Sequence, residues 1–270
     1  MTYTQSVVLG LIQGLTEFLP ISSSGHLILV PELLGWPDQG LAFDAVIHLG
    51  TLAALLVYFW QDLVRMGAVL RAPCGEHGGF ARLAGLLLLA TVPAGLVGFL
   101  FETIIETRLR APWVVSASLI WWGLLMGAAD RNTDPQRNSY RRPEDVGWGA
   151  GLAVGLSQVL ALIPGTSRSG ITITTGLLVK LDRATAARFS FLLGIPIIAA
   201  AGGGKLLGLL SAGLPHDQAG PLLAGLLAAF ASGWATVWFL VNYLRRGTLL
   251  PFVVYRLGLG LVILSVSVIG

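Results

Sequence analysis

Six apolar stretches punctuate the sequence, at residues 41–60, 82–101, 111–129, 186–204, 221–244 and 251–269. A helix rises about 1.5 Å per residue and a hydrocarbon core is about 30 Å thick, so runs of about 20 residues predict full membrane crossings. Two further stretches, 5–34 and 146–181, are apolar but broken by Pro20 and Pro164. Their arms of roughly 15 and 10 residues measure about 22 and 15 Å, too short to span, and predict re-entrant hairpins that return on the side they entered. Irregular backbone at that depth is tolerated only where protein buries it or it lines a wet cavity. The expected fold is therefore an all-α polytopic membrane protein of one integral domain. Its halves, 1–129 and 146–270, are joined by a basic loop at 130–145.

Composition agrees: 54% of the 270 residues are hydrophobic, 11% are charged and the mean hydropathy is +0.77, whereas a soluble domain carries about 25% charged residues. The net charge of +3 is no argument for nucleic acid; the arginines serve better as topology markers. With the N-terminus outside, one face receives Arg65, Arg71, Arg82, Arg131, Arg137, Arg141, Arg142, Lys180, Arg183, Arg188, Arg245, Arg246 and Arg256, thirteen of the seventeen basic residues. The other face holds only Arg108, Arg110 and Lys205. The positive-inside rule puts the thirteen in the cytoplasm and both termini outside, so the two hairpins enter from opposite faces. No Lys or Arg precedes Arg65, so the basic leader of a cleaved signal peptide is not expected and the first apolar run belongs to the mature protein. Cys74 has no second thiol to pair with and receives no role.

The two broken stretches are copies of one pattern. GLIQGLTEFLPISSSG (10–25) and GLSQVLALIPGTSRSG (155–170) share Gly10/Gly155, Leu11/Leu156, Gln13/Gln158, Leu15/Leu160, Ser22/Ser167, Ser24/Ser169 and Gly25/Gly170 at a constant offset of 145. Broken helices at matching positions of two halves point to a midplane binding site in an inverted repeat. Proline removes a donor and disfavours helix before it, so each break should be a turn that opens a new helix. Ser22, Ser23 or Ser24 would cap the first new helix near Gly25; Gly165, Ser167 and Ser169 surround the start of the second. Two helix N-termini and the Arg168 guanidinium converging there would suit an anion, phosphate best.

Around those turns the chain supplies reactive groups. Gln13 and Glu17 lie i,i+4 on one helix face, and Ser23 and His26 lie i,i+3 on the next. A hydroxyl, an imidazole, a carboxylate and an arginine are the parts of a phosphoryl-transfer site. Plainer readings exist for each. Glu17 and Arg168 would serve equally as an ion pair locking the hairpins, since a charge at the bilayer centre demands a partner. His26 would serve as a packing histidine, and the serines as contacts that let helices approach. Asp44 and His48, i,i+4 on the first span, are either supports of the site or a helix–helix hydrogen bond.

QGLTEFLPISSSGH (13–26) and PGTSRSGIT (164–172) resemble the two signature motifs of the bacterial undecaprenyl-diphosphate phosphatases of the bacitracin-resistance type; FDAVIHLGT (43–51), the Arg-rich middle loop and the length extend the likeness over nearly the whole chain. The resemblance implies hydrolysis of undecaprenyl diphosphate to the monophosphate and inorganic phosphate, on the outer face of the bacterial cytoplasmic (inner) membrane. That reaction recycles the carrier for peptidoglycan synthesis and confers bacitracin resistance. It further implies a divalent cation, Mg2+ or Ca2+, and makes Gln13 and Glu17 the acidic motif, with Ser23, His26, Ser167, Arg168, Ser169 and Thr172 completing the site. Gln13 stands where many relatives have glutamate, which weakens a two-carboxylate metal site.

Two mechanisms follow. In one, Ser23 attacks phosphorus, His26 moves protons and Glu17 orients Ser23 or binds the metal with Gln13. In the other, His26 is the nucleophile and Glu17 the base. The competing class is a transporter or flippase of a lipid phosphate or other anion, which would use the same arginine and turns. It has no need of a nucleophile beside an acid/base partner. A scaffold role fits poorly, because the longest polar loop is about 16 residues. Small-residue runs at 202–204 and 225–233 permit close helix contact within the chain or in a homo-oligomer.

Overall fold

The computed structural model describes residues 1–37, 39–68, 78–109, 111–133, 142–212 and 218–269. Arg71, Cys74, Arg110, Arg137 and Arg141, placed above from the sequence, lie outside that set. The described chain is helical: α1 (Tyr3–Phe18), α2 (Ser23–Leu34), α3 (Gly40–Tyr58), α4 (Trp60–Ala68), α5 (Gly78–Leu100), α6 (Glu102–Arg108), α7 (Pro112–Arg131), α8 (Trp148–Ser157), α9 (Arg168–Leu178), α10 (Arg183–Ala212), α11 (Ala219–Tyr243) and α12 (Leu250–Ile269). Short 3-10 segments occupy Pro143–Asp145 and Gln158–Leu162.

Among the described residues, four helices are long and apolar enough to cross a bilayer: Gly78–Leu100, Pro112–Arg131, Arg183–Gly208 and Ala219–Tyr243. The span expected at 41–60 is α3, which bends by 70° into α4, and the span expected at 251–269 is α12, whose apolar described part is the shorter Leu250–Ser265. The run read as ending at Gly204 continues as one helix to Ala212; of the glycines there, Gly202 packs, since a Cβ on it would meet Leu49 Cδ2 at 2.9 Å, whereas Gly203 and Gly204 have nothing within 4 Å. Large apolar side chains such as Leu88, Phe99, Trp113, Trp121, Leu223 and Leu261 point outward, as a lipid-facing surface requires.

The halves interdigitate. α1 packs chiefly on α11, and α8 on α5, so each broken stretch is walled by a long helix of the other half. Glycines set these distances. A Cβ on Gly14 would lie 2.0 Å from Ser232 Oγ, and one on Gly155 would lie 2.4 Å from Ala90 Cβ. Small residues give close backbone approach in lipid, where no hydrophobic effect drives helices together. At the end carrying most of the basic residues, Asp130 pairs with Arg183 and accepts from Leu249 N–H at 2.9 Å, tying α7, α10 and α12.

One assignment is overturned. Arg256, counted above with the cytoplasmic charges, is fully buried on α12. It donates to Pro20 O at 3.1 Å, Gly165 O at 3.0 Å and Leu119 O at 3.3 Å. A count of charges cannot tell an arginine near a helix end from one held inside the bundle.

Candidate active site

Both breaks have the same backbone device. Ser22 and Ser167 take positive φ, 75° and 70°, immediately before α2 and α9. Such values are uncommon outside glycine and persist only when neighbours hold them. At the first break the Ser22 carbonyl accepts from His26 Nδ1 at 2.7 Å, and Ser22 Oγ and Ser24 Oγ are 3.1 Å apart. At the second, Ser167 Oγ accepts from Gly170 N–H at 3.1 Å, so Ser167 is a true N-cap, whereas Ser22 makes no capping bond. Gly165, at φ 89°, passes so close to α7 that a Cβ would sit 2.5 Å from Val115 O. No side chain fits there.

The two turns meet. Ser169 Oγ donates to Leu19 O at 3.2 Å, and Arg256 binds a carbonyl of each break. Across that junction Arg168 Nη2 pairs with Glu17 Oε1 at 2.9 Å while Nη1 donates to Ser190 O at 3.1 Å. Gly194 makes the room, since a Cβ there would fall 2.3 Å from Arg168 Nη1. Thr172 braces the same corner through Arg168 O at 2.7 Å and Ser190 Oγ at 2.6 Å. Glu17 Oε2 accepts from Ser23 Oγ at 2.8 Å and from Gln13 Nε2 at 3.2 Å.

A cavity of about 280 Å³ opens on this group. Its polar wall is Glu17, Ser23, Ser24, Asp44, His48 and Arg168; the rest is apolar, from α2, α3 and α10. Of the residues singled out in the sequence, Glu17, Ser23, Ser24, Asp44, His48 and Arg168 line it. Gln13, Ser22, Gly25, His26, Gly165, Ser167, Ser169 and Thr172 do not, and stand behind the lining as supports of the turns. His26 is turned away, with Nε2 on Tyr255 OH at 2.6 Å. The imidazole on the cavity is His48, whose Nε2 lies 3.7 Å from Glu17 Oε2. Arg256 and Tyr255 were missed as site supports because nothing in their spacing links α12 to either break.

The protein's own donors are sparse for a cation. Among the described residues no three or more His, Cys, Asp or Glu form a metal-holding group. Gln13 Oε1 is buried without a partner next to Glu17, however, which leaves one neutral oxygen spare. Mg2+ commonly takes one or two protein oxygens and completes its shell with phosphate and water, and that partial set fits it.

The site brings a carboxylate, a hydroxyl and a guanidinium to one partly apolar cavity. The sequence profile of the family described as "Bacitracin resistance protein BacA" matches residues 6–262. The chain is 47% identical over 262 residues to "Undecaprenyl-diphosphatase" of Thioalkalivibrio sulfidiphilus, covering 96% of this chain and 97% of that one. It is 46% identical over 269 residues to "Undecaprenyl-diphosphatase 2" of Stutzerimonas stutzeri, covering 98% of each. With the profile spanning nearly the whole chain and both relatives aligned end to end, this protein belongs to the bacitracin resistance protein BacA family.

Proposed function

We propose that the protein hydrolyses undecaprenyl diphosphate to undecaprenyl phosphate and inorganic phosphate, with Ser23 as nucleophile. The observation that carries this reading is the Ser23 Oγ–H donating to Glu17 Oε2 at 2.8 Å on the cavity wall, while Arg168 holds the other carboxylate oxygen at 2.9 Å. A bound diphosphate competes for the guanidinium. As Arg168 turns to the phosphate oxygens, Glu17 is released to take the Ser23 proton, so substrate binding itself frees the base. Ser23 Oγ attacks the terminal phosphorus and the bond to the bridging oxygen breaks. Undecaprenyl phosphate leaves, and Arg168 offsets the charge that builds on the transferred group. His26 acts behind the lining: its Nδ1–H holds the Ser22 carbonyl, and so the turn that presents Ser23.

A divalent cation, when bound, supplies charge neutralisation to the diphosphate; Gln13 Oε1 and Glu17 would hold it together with phosphate oxygens. The apolar wall of α2, α3 and α10 takes the start of the prenyl chain. Helices with basic ends on one side support a cytoplasmic-membrane location with the cavity open outward, in service of carrier recycling for cell-wall synthesis and hence of bacitracin resistance.

Phosphate release by the purified protein in detergent tests this reading. A transporter or flippase releases none, because detergent offers no compartments. Labelled substrate should leave acid-stable, alkali-labile phosphoserine on the wild type. Ser23→Ala should lose both the label and turnover; near-normal turnover in that variant refutes Ser23 as nucleophile.

A further inference from the structure

The two breaks share a backbone conformation but not the brace that holds it. Ser22 and Ser167, 145 positions apart, have φ 75° and 70°. Ser167 secures its own turn, since its Oγ accepts from Gly170 N–H at 3.1 Å, whereas Ser22 makes no capping bond. Residues 26 and 171 correspond in the repeat, and there the difference is reversed. The second copy has Ile171, and the first has His26, whose Nδ1 lies 2.7 Å from Ser22 O. A carbonyl only accepts, so Nδ1 carries the proton and, in the neutral ring, Nε2 has the lone pair. Tyr255 O–H donates to that lone pair at 2.6 Å, with the ring planes parallel to within 9° and their centroids 5.7 Å apart. An imidazole held at both nitrogens cannot turn without breaking a bond. The next residue, Arg256, takes Pro20 O at 3.1 Å, so adjacent side chains of α12 hold two carbonyls of the turn that presents Ser23, one directly and one through His26.

We propose that Tyr255 is a positioning residue for the hydrolysis: through His26 it holds the Ser22 carbonyl, and so keeps the Ser23 hydroxyl on the Glu17 carboxylate. The inference rests on Ser23 being the nucleophile. A tyrosine 45% exposed on a membrane helix is ordinarily an interfacial anchor. An anchor has no need of a hydroxyl bonded inward to a buried imidazole, and its loss does not touch the chemical step. Positive φ at a residue other than glycine persists only while its neighbours over-determine it. Relaxation of Ser22 swings the next residue, Ser23, off Glu17 Oε2, which its Oγ now meets at 2.8 Å. Arg168 sits on α9 and keeps its place for the phosphate, so the loss falls on kcat rather than on KM.

A double-mutant cycle in phosphate release from undecaprenyl diphosphate tests this. Asparagine reproduces the Nδ1 donor without an Nε2: Asn242 Nδ2 bonds Trp238 O, likewise four residues back on its helix, at 2.8 Å. Tyr255→Phe keeps the ring and removes the hydroxyl, and kcat should fall about 10-fold with KM within about 2-fold of wild type. His26→Asn should turn over within about 10-fold of wild type, whereas His26→Ala should lose about 10²-fold or more. In the His26→Asn background Tyr255→Phe should add less than about 2-fold, because the hydroxyl then has no imidazole to hold. Wild-type kcat in Tyr255→Phe overturns the proposal. So does an equal loss from Tyr255→Phe in both backgrounds, which puts its action elsewhere than His26. A His26→Asn variant that folds but is as inactive as His26→Ala also overturns it, by giving the imidazole a part in the chemistry. Where thermal unfolding reports that the asparagine variants do not fold, Tyr255→Phe alone decides, and a raised KM at wild-type kcat refutes the role. Phosphoserine trapped on the wild type beside any of these failures leaves Ser23 standing. Its absence at the shortest quench times overturns the nucleophile assignment, and this inference with it.

Discussion

Replacing Arg256 by lysine keeps the charge in the bundle but removes the fork. The guanidinium donates in three directions, to Pro20 O, Gly165 O and Leu119 O at 3.1, 3.0 and 3.3 Å. A single ammonium on a flexible stem cannot reach all three, and lysine is expected to keep one. Hydrogen bonds from charged groups contribute about 1.5–3 kcal/mol each, so two lost bonds amount to about 3–6 kcal/mol. Nothing offsets the loss, because the buried charge remains. Methionine, by contrast, relieves the cost of about 3 kcal/mol for an intramembrane charge while stranding all three carbonyls, so the lysine variant is the sharper test. At roughly 2–4 °C per kcal/mol for a chain of this size, Arg256→Lys should melt at least about 6 °C below wild type in detergent. Activity should fall further than stability explains at the assay temperature. Arg256 helps hold one break against the other, beside the Ser169–Leu19 and Arg168–Glu17 contacts, and a displacement of about 1 Å between Glu17 and Arg168 is worth about 10²-fold in rate. The assay is thermal unfolding of purified protein beside saturating-substrate turnover at a temperature where both proteins are folded. A variant that melts within about 2 °C of wild type and turns over at its rate refutes the reasoning.

Other outcomes follow from single contacts. Gly14→Val places carbon where Ser232 Oγ would be 2.0 Å and Gly233 N 2.5 Å from its Cβ. It should destabilise by several kcal/mol, on the order of overpacking (about 1–3) or more; Gly203→Ala, with nothing within 4 Å, should not, and thermal unfolding compares them. Arg168→Lys keeps a cation but loses the paired contacts to Glu17 and Ser190, and kcat/KM for phosphate release should fall by about 10²–10³. Gln13→Glu puts a second carboxylate beside the spare oxygen site; in chelated protein titrated with Mg2+ or Ca2+, its half-saturating concentration should drop below that of wild type, while Gln13→Leu should raise it.

Much of the architecture is legible in the chain because the bilayer imposes a length rule. Runs of about 20 apolar residues had to be helices, and the two proline-broken stretches had to be sheltered from lipid. The duplication with its hydroxyls then pointed to the two breaks, and Glu17, Ser23 and Arg168 do come together on one cavity. Local spacing determined that much, since Gln13 and Glu17, or Ser22 and Ser24, are neighbours whatever the rest of the chain does.

Tertiary packing decided which imidazole faces the cavity. His26 sits inside the motif and His48 outside it, and both have the same local bond to the fourth residue back. Only the arrival of Tyr255 from α12, 229 residues away, takes His26 Nε2, while His48 Nε2 faces the cavity 3.7 Å from Glu17 Oε2 of α1. Arg256 makes the same point, since a charge near a helix end looks cytoplasmic until three carbonyls from α7 and the two breaks close around it. Sequence specifies contacts within a turn of helix. Contacts between elements depend on how glycine-lined helices of the two halves dock, and no spacing along the chain encodes that.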